Sequence, residues 1–490
     1  MTTLTIADID ALVVLAETSL KDGDAAAAIE QYRALAIAQP DQANHWFNLG
    51  YLERYFRRHE EALAAYDRAL ALGIARPEEV HVNRALVLSE DLYRLDPAHA
   101  ALQDALASNP GFIPAWLNLG NLHEDGGDPD AALAAYEAVL AINPLNGRAL
   151  SRIAGIAVFR GQAEATLPRL IAALENPQLP LTDAVEVRFG IGQLLDAIGW
   201  YDEAFQAISL ANQMHRATDA PRYFPAAEAA LARGIAAAFP IPAASAPPPD
   251  QPVPTFICGL FRSGSTLLEQ LLGRHAAITP GGEQEYLPWL IRNRLQPWPQ
   301  TASGLTPAAL ADLQRDYLAS LAPLKAGAGL VTDKRPDNFL HIGLIQAMFP
   351  AARIIHTVRR PIDNFLSIWF LHFGAGVRYG SDFDDMLAHY RQYLGLMRHW
   401  KQHFAADILD VSYDQLVSNP EPELRRVLDF LGLPWDAACL DPSTSAGLVR
   451  TASVWQVRQP LHGRSSGRWQ NYAGHIGDLA VELDRLAAQG

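Results

Sequence analysis

The chain has 490 residues, 49% of them hydrophobic and 19% charged, with a formal net charge of −15 at pH 7. This balance is ordinary for a soluble globular protein, and the absence of an apolar run of about 18 residues excludes a predicted membrane-spanning helix. Two cysteines, Cys258 and Cys439, are too few for a disulfide framework.

The negative charge is concentrated in the first half of the chain. Residues 1–240 contain 17 basic and 31 acidic residues, whereas residues 241–490 contain 22 and 23. Such an acidic first half argues against nucleic acid as a partner. The N-terminus has no basic segment typical of a secretory signal, so we expect a cytoplasmic protein.

The first half contains an internal repeat. The segment WFNLGY at 46–51 is echoed by WLNLGN at 116–121, and each is followed by a segment that contains LAAY and runs on to a proline, Pro77 or Pro144. Prolines recur at a spacing of roughly 34 residues, a period typical of helix–turn–helix repeats. We therefore predict that residues 1–235 form a helical solenoid, in which the repeated Trp and Tyr side chains pack between helices.

These segments resemble the tetratricopeptide repeat. Residues 147–180 and 188–218 look like degenerate repeats, and residues 78–112 have the period without the signature. The resemblance implies a concave surface that binds a peptide or protein acceptor or partner. A scaffold or dimerisation role is the alternative, and a homodimer is consistent with the large surfaces of both halves.

A proline- and alanine-rich segment separates the two halves. Residues 236–253 read AAAFPIPAASAPPPDQPV, a composition that favours an extended, semi-rigid linker. We therefore predict two domains, a helical domain at 1–235 and a second domain at 254–490.

The second domain opens with a candidate phosphate-binding loop. Residues 259–266 read GLFRSGST and have the spacing of a Walker A motif, but Ser265 stands where the lysine of that motif would be. Backbone N–H groups and hydroxyls can still hold one phosphate at a helix N-terminus. The loop is therefore expected to bind an anionic nucleotide other than ATP or GTP.

The residues around the loop predict a strand before it and a helix after it. Residues 254–260 form a short apolar run typical of a buried parallel strand. Residues 266–272 place apolar side chains at helical spacing, and Gly273 can end that helix. A Ser/Gly-rich turn between an unrelated strand and helix remains the alternative interpretation.

Two acidic residues are candidate general bases. Glu283 and Glu285 follow the helix after the loop, where a second strand would deliver them to the carboxyl edge of a doubly wound sheet. A solvated acidic loop is the alternative. Lys334, one of only four lysines in the chain, follows an apolar stretch and could neutralise a transferring anionic group.

A second anion site is predicted further along the chain. Residues 352–358 have the composition of a strand and lead to Arg359 and Arg360; Pro361 suits the first turn of a following helix that carries Ser367. An arginine at the end of a strand and a serine two turns into the next helix can together bind a phosphate. Arg360 is expected at the surface.

Together these segments resemble the sulfotransferases that use 3′-phosphoadenosine 5′-phosphosulfate (PAPS), and are similar to bacterial relatives of the tyrosylprotein sulfotransferases. The resemblance covers about residues 252–480. It implies an α/β, P-loop-like domain with a central parallel sheet. It also implies a 5′-phosphosulfate loop and a 3′-phosphate site, which would contain Arg262, Ser263, Gly264, Ser265 and Thr266 in the loop, with Arg359 and Ser367 at the 3′-phosphate.

The resemblance also assigns roles to individual residues. Glu283 matches the position of the catalytic base and is preferred to Glu285, and Lys334 matches the lysine beside the sulfonate. Ser453 matches a catalytic serine, five residues before the basic Arg458. Further nucleotide-binding residues implied by the resemblance are Tyr413, Arg458 and Arg468.

The resemblance implies direct in-line transfer of a sulfonate from PAPS to an acceptor hydroxyl, without a metal. Glu283 would act as base, and Arg262, Lys334 and Ser453 would stabilise charge. The acceptor is a peptide tyrosine, a sugar, a lipid or a small phenol. The alternatives are a P-loop kinase or NTPase, and a repeat-based interaction module with a degenerate catalytic half. His372 and His462 are the next candidate bases after Glu285.

Overall fold

The computed structural model describes residues 6–218, 221–239, 245–246, 253–324, 329–373, 376–441, 450, 454–458 and 463–488. Its contacts divide the chain into two compact units. One consists of Met1–Glu124 with Asp128–Pro144, and the other consists of Asp125–Gly127 with Leu145–Gly490.

The first unit is built from antiparallel helical hairpins. Its helices are α1 (Ile6–Lys21), α2 (Ala25–Ala38), α3 (Ala43–Tyr55), α4 (His59–Ala71), α5 (Pro77–Leu86), α6 (Leu95–Ser108), α7 (Ile113–Gly126, whose last two residues belong to the other unit) and α8 (Pro129–Ile142). A π-helical turn, Val87–Asp91, follows α5. The predicted helical solenoid is thus confirmed.

The repeated Gly and Tyr residues pack the two helices of a hairpin against each other. A Cβ atom on Gly50 would lie 2.6 Å from the ring of Tyr66, and one on Gly120 would lie 2.4 Å from the ring of Tyr136. Both tyrosines are fully buried. The glycines therefore leave the space that the rings fill, which explains why the two residue types recur together.

The larger unit begins with five more helices, which complete the helical half of the chain. They are α9 (Gly147–Phe159), α10 (Ala163–Leu174), α11 (Leu181–Ile198), α12 (Tyr201–Arg216) and α13 (Pro225–Ala238). Helix α13 extends three residues into the segment predicted as a linker. Since α9–α13 and the following sheet belong to one compact unit, the domain boundary at 236–253 stays a prediction from composition.

The rest of the larger unit contains strands and helices in alternation. The strands are β1 (Thr255–Gly259), β2 (Ile278–Thr279), β3 (Leu330–Lys334), β4 (Ile354–Val358) and β5 (Ile408–Ser412). The helices are α14 (Ser265–Leu272), α15 (Tyr286–Arg294), α16 (Pro307–Ser320), α17 (Ile342–Met348), α18 (Pro361–Trp369), α19 (Phe383–His403), α20 (Tyr413–Ser418), α21 (Pro420–Phe430) and α22 (Ala473–Ala487).

The five strands form one parallel sheet in the order β2-β3-β1-β4-β5. Strand β1 is central, with Ile257 beside Lys334 of β3 on one side and beside Ile355 of β4 on the other. The carboxyl ends of β3, β1 and β4 therefore lie side by side, where open α/β sheets bind ligands. This confirms the predicted α/β class with a central parallel sheet.

Both faces of the sheet are covered. On one face, Ile257 and Ile355 pack in a cluster with Leu268 of α14 and Leu428 of α21. On the other face, the ring of Phe256 lies 5.8 Å from Tyr317 of α16 and 6.2 Å from Phe349. Burial on both faces explains the nearly continuous apolar sequences of these strands.

Candidate active site

The loop after β1 has the geometry of an anion cradle. Arg262 and Gly264 adopt positive φ angles of 70° and 98°, and α14 begins immediately afterwards at Ser265. Ser263, Ser265 and Thr266 are all buried. Backbone N–H groups at the start of a helix carry partial positive charge, so the loop presents donors suited to a phosphate-like group.

Neighbouring elements hold this loop in place. The hydroxyl of Ser263 hydrogen-bonds to that of Thr357 on β4 at 2.7 Å. Asn364 of α18 donates from Nδ2 to the carbonyl of Phe261 at 2.7 Å. The strained backbone at Arg262 is thus supported by β4 and α18, the elements that carry the second predicted anion site.

Arg262, Arg359 and Ser367, predicted to bind nucleotide, lie together. Nε of Arg262 donates to Oγ of Ser367 at 3.0 Å, and Nη1 of Arg359 donates to the carbonyl of Arg262 at 3.1 Å. The guanidinium of Arg359 lies 4.8 Å from the centre of the Tyr413 ring. Tyr413 in turn packs against Gly264, where a Cβ would lie only 2.4 Å from the ring.

The arginine cluster carries excess positive charge. Burial, together with the nearby Arg359 and Arg468, lowers the pKa of Arg262 to about 10. Burial also lowers the pKa of Arg359, and Arg468 contributes to this shift. Nε of Arg359 is buried with no hydrogen-bond partner among the described residues. An anionic ligand such as a nucleotide phosphate would compensate the repulsion between these buried cations. It could also accept a hydrogen bond from Nε of Arg359.

A lysine–glutamate pair lies at the carboxyl end of β3. Nζ of Lys334 donates to Oε1 of Glu283 at 2.7 Å. The lysine side chain is 1% exposed, whereas the glutamate side chain is 33% exposed. Because β3 is adjacent to β1, this pair lies at the same edge of the sheet as the phosphate-binding loop. An accessible carboxylate beside a buried cation can accept a proton next to a centre where negative charge develops.

A buried acid beneath this pair fixes the loop that carries Glu283. Oε1 of Glu269 accepts a hydrogen bond from the backbone N–H of Gly282 at 3.0 Å and another from Thr332 at 2.6 Å. Burial raises the pKa of Glu269, while the charge of Lys334 opposes that shift. Glu269 was not predicted, since an acid within the helix after the loop resembles any exposed helical glutamate.

Glu285, the alternative base, has a different partner. Its carboxylate lies 2.5 Å from Nη1 of Arg335, and Nε of the same arginine lies 2.6 Å from Oδ1 of Asp337. His372, another alternative, is held by Glu186 of α11 at 3.1 Å and by His215 of α12 at 3.1 Å. His462 lies outside the described residues.

The three predicted site residues near the C-terminus, Ser453, Arg458 and Arg468, do not all lie at the arginine cluster. Arg468 pairs with Asp196 of α11 at 2.9 Å. Its positive charge contributes to the lowered pKa values of Arg262 and Arg359. Arg458 donates to the carbonyl of Asp125, within the same compact unit, at 2.5 Å. Ser453 lies outside the described residues, so its assignment stays a prediction.

Two further residues shape the site without having been predicted. Asp363 of α18, which is buried, accepts hydrogen bonds from the backbone of Gly467 at 2.7 Å and of Trp469 at 2.9 Å. Asn364 holds the loop, as described above. Their position in the sequence, just after Arg359–Pro361, could have identified them as site residues, because the first turn of α18 lies at the same edge of the sheet.

Across the residues that the structure describes, no group of three or more His, Cys, Asp or Glu side chains could hold a metal ion. Within the same residues, none of the helices is long and apolar enough to span a bilayer.

Comparison with known proteins agrees with this geometry. Residues 254–437 match a model of the sulfotransferase family, and residues 14–77 and 92–147 match a tetratricopeptide-repeat model. Among relatives, an uncharacterized protein of Aquifex aeolicus (strain VF5) is 27% identical over 417 residues, which cover 81% of this chain and 54% of that protein. The chain thus spans about half the length of that relative.

Protein-tyrosine sulfotransferase 1 of Danio rerio is 25% identical over 250 residues, which cover 47% of this chain and 67% of that protein. Among solved structures, the match to the sulfotransferase domain from the Synechococcus PCC 7002 olefin synthase covers 46% of this chain and 91% of that chain, at 23% identity and a TM-score of 0.33. The chain is therefore similar to tetratricopeptide-repeat proteins over residues 14–77 and 92–147 and to the sulfotransferase family over residues 254–437.

Proposed function

We propose that the protein transfers a sulfonate group from PAPS to an acceptor hydroxyl. The observation that carries this proposal is the location of the Glu283–Lys334 pair at the sheet edge that also holds the phosphate-binding loop. An acid, a buried cation and an anion cradle at one edge are the groups that transfer of an anionic group to a hydroxyl requires.

The donor would be held through its two anionic ends. The loop Arg262–Thr266 suits the 5′-phosphosulfate, because its donors lie at the start of α14. Arg359, with its buried and unpaired Nε, and Ser367 suit the 3′-phosphate. Ser265 in place of the Walker lysine removes the cation that would contact the β- and γ-phosphates of a nucleoside triphosphate.

The proposed reaction is a single in-line displacement. The acceptor oxygen attacks sulfur as its proton passes to the Glu283 carboxylate, and the bond from sulfur to the bridging oxygen breaks. The leaving 3′,5′-bisphosphoadenosine keeps the electron pair of that bond. Lys334 and Arg262 would stabilise the charge on the sulfonate and bridging oxygens, and Ser453 is proposed to assist.

The acceptor is proposed to be a tyrosine hydroxyl in a peptide or protein. The similarity to protein-tyrosine sulfotransferase 1 of Danio rerio supports a tyrosine acceptor. The tetratricopeptide repeats at 14–77 and 92–147 support a peptide or protein, since such repeats commonly bind extended chains. Sugars, lipids and small phenols are the other acceptors that the same chemistry allows.

The test uses PAPS with a radiolabelled sulfonate and a panel of tyrosine peptides, phenols, sugars and lipids. The unaltered protein should label at least one acceptor and release the bisphosphate. Glu283→Gln should lower turnover by about 10²–10⁴-fold with nucleotide binding nearly unchanged. Glu285→Gln is the matched control, because Glu285 pairs with Arg335 instead. Full activity of Glu283→Gln would disprove the assignment of the base.

A further inference from the structure

The C-terminal segment at 463–472 lies beside the proposed nucleotide site. The carbonyl of Ser465 accepts a hydrogen bond from Arg359, and the hydroxyl of Ser466 donates to Asp414. The backbone N–H groups of Gly467 and Trp469 both donate to Asp363 of α18. The backbone on each side of Arg468 is therefore fixed to the elements that carry the arginine cluster.

The side chain of Arg468 is held by a helix from the other half of the sequence. Nε and Nη2 of Arg468 lie 3.2 Å and 2.9 Å from the two carboxylate oxygens of Asp196, near the end of α11. The hydroxyl of Tyr472 donates to the same carboxylate at 2.5 Å. The guanidinium also lies 4.4 Å from the centre of the Phe370 ring, just after α18. The two-point contact with Asp196 fixes the plane of the guanidinium.

Helix α11 is itself fixed against the end of α18. Gln193, one turn before Asp196, donates to the carbonyl of Phe370 at 3.4 Å. Asn212 of α12, which is buried, donates to the carbonyl of Trp369 at 3.0 Å. Asp196 therefore has a defined position relative to the helix that carries Ser367.

We propose that Asp196 is a positioning residue that orients Arg468 toward the phosphate groups of the bound nucleotide. The inference rests on the proposed function. Asp196 engages the Nε and Nη2 edge of the guanidinium, so Nη1 is the nitrogen proposed to contact the ligand. A long arginine side chain that is already oriented loses less conformational entropy when the ligand binds. The helices that follow the recognised repeats are then part of the nucleotide site.

The test is a double-mutant cycle read out by calorimetric titration with 3′,5′-bisphosphoadenosine. Asp196→Ala and Arg468→Ala should each weaken binding by about tenfold, the effect of losing one charged hydrogen bond. The double variant should bind like Arg468→Ala, because Asp196 acts through Arg468. Asp196→Asn, which has the same shape, should also weaken binding and guards against misfolding of the alanine variant.

Asp202→Ala is the matched control. Asp202 lies on the next helix and pairs with His475 of α22 at 2.7 Å, so its loss removes a similar contact between the same parts of the unit. The affinity of the Asp202→Ala variant for the bisphosphate should equal that of the unaltered protein. If the unaltered protein binds but Asp196→Ala and Asp196→Asn bind equally well or more tightly, or if the two effects add, the inference is wrong. If the unaltered protein does not bind, the proposed function fails as well.

Discussion

Replacing Gly264 by alanine should disrupt the nucleotide site through a defined steric route. Gly264 has a φ of 98° and precedes α14. A Cβ there would lie 2.4 Å from Cδ2 of Tyr413, far inside the ordinary carbon–carbon separation of about 3.5–4.0 Å. The ring would therefore have to move by about 1 Å or more, and it lies beneath the guanidinium of Arg359.

The expected cost can be worked out from these contacts. A left-handed backbone costs an L-residue roughly 1–2 kcal/mol. Loss of the contact between Arg359 and the Tyr413 ring adds about 0.5–2 kcal/mol. Gly264→Ala should thus destabilise the protein by about 1.5–4 kcal/mol and weaken bisphosphate binding by tenfold or more, since the loop and Arg359 shift together.

Thermal unfolding and bisphosphate titration test this prediction together. Gly432→Ala is the matched control, because Gly432 has a φ of 71° with nothing within 4 Å of the added Cβ. It should show the backbone cost alone and bind nucleotide normally. Adding Tyr413→Ala to Gly264→Ala should recover none of the affinity, because the ring beneath Arg359 is then absent. Normal affinity in Gly264→Ala would show that the Tyr413 ring does not connect Gly264 to Arg359.

Three further predictions concern catalysis, pH and repeat packing. Lys334→Met should lower sulfonate transfer by at least about 10²-fold while bisphosphate still binds, and equal turnover would contradict its role. Burial raises the pKa of Asp333 to about 7, so the folded protein retains a proton that the unfolded chain releases above about pH 4. Stability should therefore fall as pH rises from about 4 through 7, and Asp333→Asn should flatten that dependence in thermal unfolding; an unchanged pH profile would argue against the shift. In the repeats, Gly120→Ala should lower the unfolding temperature, because its Cβ would lie 2.4 Å from the Tyr136 ring, whereas Gly126→Ala has open space and should not; equal effects would contradict the packing account.

The sequence was most informative where function requires a local arrangement. The strand, loop and helix around Ser265 were predictable, because phosphate binding at a helix N-terminus needs these elements in immediate succession. The observed β1 and α14 lie within a residue of the predicted bounds. The pairing of Arg359 with Ser367 could be predicted for the same reason, since the end of a strand and the helix that follows it place the two residues near each other.

Contacts between residues far apart in the sequence could not be predicted from such local patterns. A second strand was expected to deliver Glu283 to the sheet edge near the loop. The strand before Glu283, β2, pairs with β3 at the edge of the sheet, and Lys334 of the intervening β3 contacts Glu283. Strand order depends on how the connections cross the sheet, which local patterns do not encode. Asp196 lies 272 residues before Arg468, and no pattern in either segment indicates that they meet.

Calorimetric titration with 3′,5′-bisphosphoadenosine, with ATP–Mg²⁺ as the parallel titrant, is the decisive measurement for the proposed nucleotide site. We expect micromolar binding of the bisphosphate that is lost in Arg359→Ala, with little binding of ATP–Mg²⁺. Absence of bisphosphate binding, or a clear preference for ATP–Mg²⁺, would rule out a PAPS site and favour a kinase or NTPase.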